Sequence, residues 1–154
     1  MARLIVEQGD KYLEWQFQAA LAADQRATTS ASIFIGFSAA LFVGVITYWA
    51  DQKDCAVLLG GLLTAALLFF GAGCCFWAAL PRDFYSPGNE PARWFGVVDQ
   101  KISVALGREA TNYQTRIDVN DRALGKMAQW FKWGTIVACI APIAGAIVWI
   151  VFSF

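Results

Sequence analysis

ASIFIGFSAALFVGVITYWA, Ala31 to Ala50, is the stretch whose reading decides the fold. It carries no charge, and the uncharged run reaches back to Ala27. A helix needs about 20 apolar residues to cross roughly 30 Å of hydrocarbon, and this run supplies them. Two further uncharged runs follow, Cys55 to Pro81 and Gly134 to Phe154. A helix in a soluble bundle shows charge on its outward face; these three show none. The expected fold class is an all-α integral membrane protein. It has transmembrane helices at 31–50, 55–81 and 133–154, joined to helical cytoplasmic segments at 1–30 and 82–132. At 154 residues this is one membrane module. Its 58% hydrophobic content exceeds the roughly 45–50% of soluble proteins, and the excess lies in the three runs.

Net charge is zero, so its distribution carries the information. Residues 1–30 hold three Lys/Arg, the link between the first two runs holds Lys53, and 82–132 holds eight. The positive-inside rule places 82–132 and the N-terminus in the cytoplasm and the C-terminus outside. The first run is too long for a cleaved signal peptide and sits behind a polar helix-forming segment. Histidine is absent, which removes His-based triads, metal ligands and pH switches. Cys55, Cys74, Cys75 and Cys139 match no metal framework and read as small apolar residues. A disulfide or acylation at Cys55 is the alternative.

Gly9-Asp10 is a helix-start signal with Asp10 as the cap. Leu13, Phe17, Ala20 and Leu21 then share one helical face. No Pro or Gly intervenes before Gly36, so the helix is expected to run unbroken into the first span. Lys11 to Trp49 would measure about 58 Å. Within the span, Ser32, Gly36, Ala40 and Gly44 recur every four residues, the small-xxx-small stripe of closely packed membrane helices. Such a stripe serves contacts within or between subunits, though membrane helices are generally rich in Gly and Ala. Asp51 to Asp54 is a polar turn.

Past the second span, Pro87-Gly88 marks a turn and Asn89 caps a short helix that ends near Gly107. A further helix runs from Arg108 into the third span. Its residues Tyr113, Ile117, Asn120, Leu124, Met127 and Phe131 form a heptad seam. Asn120 is the polar position in the seam; it either fixes register and oligomer state or faces water. Pro142 lies in the middle of the third span and removes a backbone hydrogen bond there. Arg82, Arg93 and Trp94, with Tyr85 and Phe95, set charge beside flat rings, a mixture suited to a nucleotide's phosphate and base. The same residues also read as an interfacial aromatic belt with snorkelling arginines. Arg108, Arg116 and Arg122 lie off the seam, either lining a cavity or rim or as solvated surface.

The chain carries no phosphate loop, dinucleotide fingerprint, nucleophile elbow or zinc-protease helix, and no enzyme activity or cofactor is expected. No acidic residue lies inside a span, which argues against a proton or ion pump but leaves an apolar pore gated by dewetting.

Leu13-Glu14-Trp15-Gln16, leading through Ala23-Asp24-Gln25-Arg26-Ala27 into the first span, resembles the W-Q…A-D-x-K/R-A opening of the Pycsar transmembrane effectors. The second span ending at Leu80-Pro81-Arg82, the G-x-x-P-x-x-W-F stretch from Gly88 to Phe95, and Asn120 with Lys126 to Trp133 are also similar. SLATT effectors and the membrane effector of the Hailong system share this plan. The resemblance implies a role in bacterial anti-phage defence, in the inner membrane. A partner cyclase or nucleotidyltransferase makes a nucleotide or oligonucleotide, and the homo-oligomeric effector permeabilises the lipid bilayer. In Hailong-type systems the ligand instead holds the effector silent. A non-conducting membrane anchor or assembly scaffold would show the same stripe and seam.

Overall fold

The computed structural model describes residues 2–88 and 101–154, and its regular structure there is entirely helical. Helix α1 is Ala2–Gln52, α2 is Cys55–Ala78 and α3 is Ile102–Ser153. Each contains a stretch long and apolar enough to cross a membrane. The chain divides into two compact units, Met1–Ala22 with Pro81–Lys126, and Ala23–Leu80 with Met127–Phe154. Both α1 and α3 contribute to each.

The second unit holds the apolar stretches. Helix α1 stops at Gln52 because Lys53 turns left-handed, at φ 57°. Its backbone N–H donates to Trp49 O at 2.9 Å, and its ammonium sits 4.7 Å from the centre of the Trp49 ring. Asp54 then caps α2, accepting from the N–H groups of Ala56 and Val57 at 2.9 and 3.2 Å. The polar turn is thus shorter than the sequence suggests, because the helix absorbs Asp51 and Gln52.

Helices α1 and α2 run antiparallel, since Ser38 pairs with Ala65 and Val45 packs on Gly61. Helices α2 and α3 do the same. A methyl group added at Gly60 would lie 2.7 Å from Gly145 O, and one at Gly145 2.7 Å from Gly60 O. Three turns away the pattern repeats: a methyl group at Gly71 would lie 2.9 Å from Gly134 O, and one at Gly134 2.7 Å from Gly71 O. Membrane helices gain little from the hydrophobic effect against lipid, so close backbone approach through small residues is what joins them. Accordingly the buried positions are small: Ala56, Ala65, Ala72, Cys74, Cys75 and Ala78 on α2, Ala138 and Ala141 on α3. Cys55 and Cys139 are exposed, unlike the two buried cysteines, so only half of the set behaves as buried apolar residues. Phe37, Phe69, Phe70 and Phe152 point outward, each more than 60% exposed. Outward apolar faces on this scale suit lipid or another protein surface.

On α1 the inward residues are Ala27, Ala31 and Ser38, while Ser32, Gly36, Ala40 and Gly44 are exposed. Nothing lies within 4 Å of a methyl group built at Gly36 or Gly44. Among the described residues Gly36 and Gly44 therefore meet no facing helix, and Ser32 turns its hydroxyl back to Thr28 O on α1 itself. Helix α3 continues through Pro142, whose side chain is exposed.

The first unit pairs the start of α1 with the start of α3, parallel in sequence direction: Asp10 meets Tyr113, and Gln16 meets Ile117 and Asp121. Three sequence expectations change here. Asp10 does not begin a helix; it lies inside α1, and its carboxylate is used for tertiary contacts. Phe17 and Leu21 are exposed, and the inward positions beside Leu13 are Gln16 and Gly9. Gly107 does not end a helix, since α3 passes through it. An isolated glycine costs a helix about 1 kcal/mol relative to Ala, and the flanking Leu106, Arg108, Glu109 and Ala110 together with the buried Tyr113 outweigh it. The short helix expected from Asn89 falls largely outside the described residues.

Candidate functional site

The seam on α3 reads as expected at Tyr113, Asn120 and Met127, which are buried, and at Ile117, Leu124 and Phe131, which are half-buried. What the sequence did not suggest is the polarity of this core. Gln16 and Asn120 are fully buried, and Arg116 is 8% exposed. A buried polar group without a partner costs about 1–3 kcal/mol, so these side chains need partners. The connector leaving α2, residues 81–88, supplies most of them.

Asn120 uses both ends of its amide on one residue of that connector. Its Oδ1 accepts from the Tyr85 backbone N–H at 2.9 Å, and its Nδ2 donates to Tyr85 O at 3.0 Å. Three residues on, Gly88 is held in the same fashion by two helices. Its N–H donates to Asp10 Oδ1 at 2.9 Å, and its carbonyl accepts from Arg116 Nη1 at 3.0 Å. Gly88 has φ +84°, a left-handed conformation that suits glycine. The Arg116 guanidinium also lies 5.6 Å from the Tyr113 ring centre and 6.0 Å from that of Tyr85, within cation–π range. Tyr113 donates its hydroxyl to the same Asp10 oxygen at 2.9 Å. Burial first, then this hydrogen bond and the charges of Asp10 and Glu109, push the Tyr113 phenol up to about 12, against an opposing effect of Arg116. Gln16 completes the network, donating to Asp121 Oδ1 at 2.7 Å and Ile117 O at 3.2 Å. Asn120 is thus a buried clamp on the connector and not a water-facing residue, and Arg116 is a buried structural cation and not solvated surface.

The remaining predicted residues separate. Arg82 and Arg122 share one groove of about 460 Å³ with Pro81, Asp83, Val119, Ala123 and Lys126. Arg108 is exposed on the first turns of α3. Arg93 and Trp94 lie outside the described residues. Of the functional positions that sequence reasoning missed, Lys126 had a signal, its i+4 spacing from Arg122. Asp10 was visible but assigned to a cap, and Gln16 carried no signal of burial, since a lone Gln between apolar residues is ordinary helix surface. Among the described residues no group of acidic, Cys or His side chains is placed to hold a metal ion.

Comparison with protein-family models, with curated proteins and with solved structures finds no match.

Proposed function

We propose that this chain is a membrane effector of a nucleotide-signalling anti-phage defence system, of the Pycsar type, that assembles into a ligand-controlled pore in the bacterial inner membrane. The N-terminus and 82–132 lie in the cytoplasm and the C-terminus outside. The observation that supports this best is the outward stripe of α1: Ser32, Gly36, Ala40 and Gly44 have the spacing of a packed membrane-helix interface, all four are exposed, and among the described residues no facing helix lies against Gly36 or Gly44. A second copy of the chain is the partner such a face suits. Around a symmetry axis the apolar helices surround a pore that needs no charged lining to gate.

Control belongs to the polar unit. Its connector is held by side chains of α1 and α3 together, so any ligand that rearranges those helices also moves the chain segment leaving α2. A nucleotide or oligonucleotide made by a partner cyclase or nucleotidyltransferase pairs its phosphates with arginines of 82–132, among them Arg82, Arg93, Arg108 and Arg122, from several subunits. It shifts the assembly only by the difference in its affinity for the two states.

The test is membrane potential in cells that express the chain alone, with its neighbouring gene, and during phage infection. Depolarisation in at least one condition is expected, and the condition that triggers it gives the sign of control. Unchanged potential in all three, with the protein verified in the membrane, would leave a non-conducting anchor or scaffold as the better reading.

A further inference from the structure

The groove of the polar unit that holds Arg82, Arg122 and Lys126 has an unbalanced charge. Arg122 and Lys126 stand one turn apart on α3, where like charges repel by a few tenths of a kcal/mol. The nearest acids of α3 stay outside the lining and hydrogen-bond to neutral amides. Asp118, one turn before Arg122, accepts from Gln114 Nε2 at 2.8 Å, and Asp121 accepts from Gln16 at 2.7 Å. Arg82 enters from the connector with its Nε buried and, among the described residues, without a hydrogen-bond partner. None of the three cations makes an ion pair among the described residues, and Asp83 is the one carboxylate in the lining. Pro81, Val119 and Ala123 make the rest of the wall apolar. Two guanidinium groups and an ammonium over an apolar wall fit a phosphate ester, which guanidinium groups grip through paired hydrogen bonds.

Chain position narrows the source. Arg82 comes four residues after α2 ends at Ala78. Lys126 precedes Trp130 and Trp133, the aromatic pair that introduces the last uncharged run. Arg82 thus adjoins the end of the second run, and Lys126 and Arg122 stand about two and three helical turns before the last one, positions from which long cationic side chains reach toward anionic headgroups. We propose that the Arg82–Arg122–Lys126 groove binds a phosphate diester and that its source is the headgroup of an anionic phospholipid. The groove shares Arg82 and Arg122 with the nucleotide reading, and the two are told apart on the isolated protein, where lipid occupancy can be measured whether or not a signalling nucleotide exists.

The experiment uses the full chain, purified in a neutral detergent and titrated with phosphatidylglycerol, phosphatidylcholine or adenosine monophosphate, with bound ligand counted by native mass spectrometry. Phosphatidylglycerol is retained at least about tenfold more tightly than phosphatidylcholine. The double variant Arg122→Glu with Lys126→Glu loses that preference, and Arg122→Lys keeps most of it. Lys126→Gln alone serves if the double variant fails to fold, and weakens retention in the same direction. Equal retention of the two lipids, or retention unchanged in the variants, overturns the proposal. Binding of adenosine monophosphate that depends on Arg122 and Lys126, without lipid preference, overturns the lipid source and assigns the groove to a soluble phosphate ester.

Discussion

Tyr113 shows how much chemistry one buried residue gathers in this chain. Its ring packs on Gly9, where a methyl group would come within 3.0 Å of Cγ, and its hydroxyl reaches Asp10. The neutral phenol is the form that burial and the neighbouring acids favour, which raises its ionisation to about 12. The sign of the linkage follows. A phenol that ionises near 10 when unfolded and near 12 when folded contributes stability that is complete below about pH 10. That contribution is lost as pH rises through about 12. Tyrosinate absorbance, taken as the difference between wild type and Tyr113→Phe, is expected to show a midpoint close to 12 for this residue. Asp10→Asn should draw the midpoint down without bringing it to 10, because burial is the larger cause. A wild-type midpoint at 10 would show that Tyr113 is neither buried nor in contact with Asp10. At this scale the sequence was a partial guide. The 4-3-4 spacing of Tyr113, Ile117, Asn120 and Leu124 identified the inward face, since helical geometry alone sets it. It could not show that Arg116, three residues from Tyr113, shares that face as a cation, because its partner is a backbone carbonyl 28 residues distant in the chain.

Among the helices, glycines of the same composition do opposite things, and only the partner distinguishes them. Gly60 and Gly145 touch each other's backbone, as do Gly71 and Gly134, whereas Gly36 and Gly44 face open space in the chain. Each kind recurs with helical spacing, so periodicity finds both and ranks neither. Alanine separates them. At Gly60 or Gly145 the added methyl meets a carbonyl oxygen of the facing helix, which has to move away. Such overpacking costs about 1–3 kcal/mol. At Gly36 the methyl meets nothing, and alanine gains up to about 1 kcal/mol of helix propensity. Unfolding of the single chain in detergent should therefore shift to milder denaturant for Gly60→Ala and Gly145→Ala, and stay level or move the other way for Gly36→Ala. Equal behaviour of all three would mean that α2 and α3 do not approach through glycine. The same logic explains why Gly107 and Gly9 misled as punctuation. Gly107 and Gly9 both keep helical backbone, whereas Gly88 turns left-handed in the connector, and neighbouring residue types do not reveal which a glycine will do.

At the scale of the molecule, the apolar runs were legible at once because twenty uncharged residues have few other uses, and each falls largely inside one long helix. What the runs do not contain is the identity of their neighbours. The chain fills one face of α1 with its own residues, Ala27, Ala31 and Ser38, and leaves the stripe of Ser32, Gly36, Ala40 and Gly44 to whatever surrounds it. If that surrounding is lipid, side-chain size on the stripe is unimportant, since lipid chains accommodate leucine as readily as glycine. If it is another copy of the chain, large side chains force the two backbones apart. The triple variant Gly36→Leu, Ala40→Leu, Gly44→Leu distinguishes the cases, because among the described residues nothing lies within 4 Å of a first side-chain carbon at Gly36 or Gly44. Its helix content and thermal unfolding as a monomer should match wild type, while chemical crosslinking in membranes should shift from higher species toward the single chain. Unchanged crosslinking would return the stripe to lipid and place the self-contacts of any assembly on another face. Loss of both crosslinking and monomer stability would instead mean that the stripe meets part of its own chain.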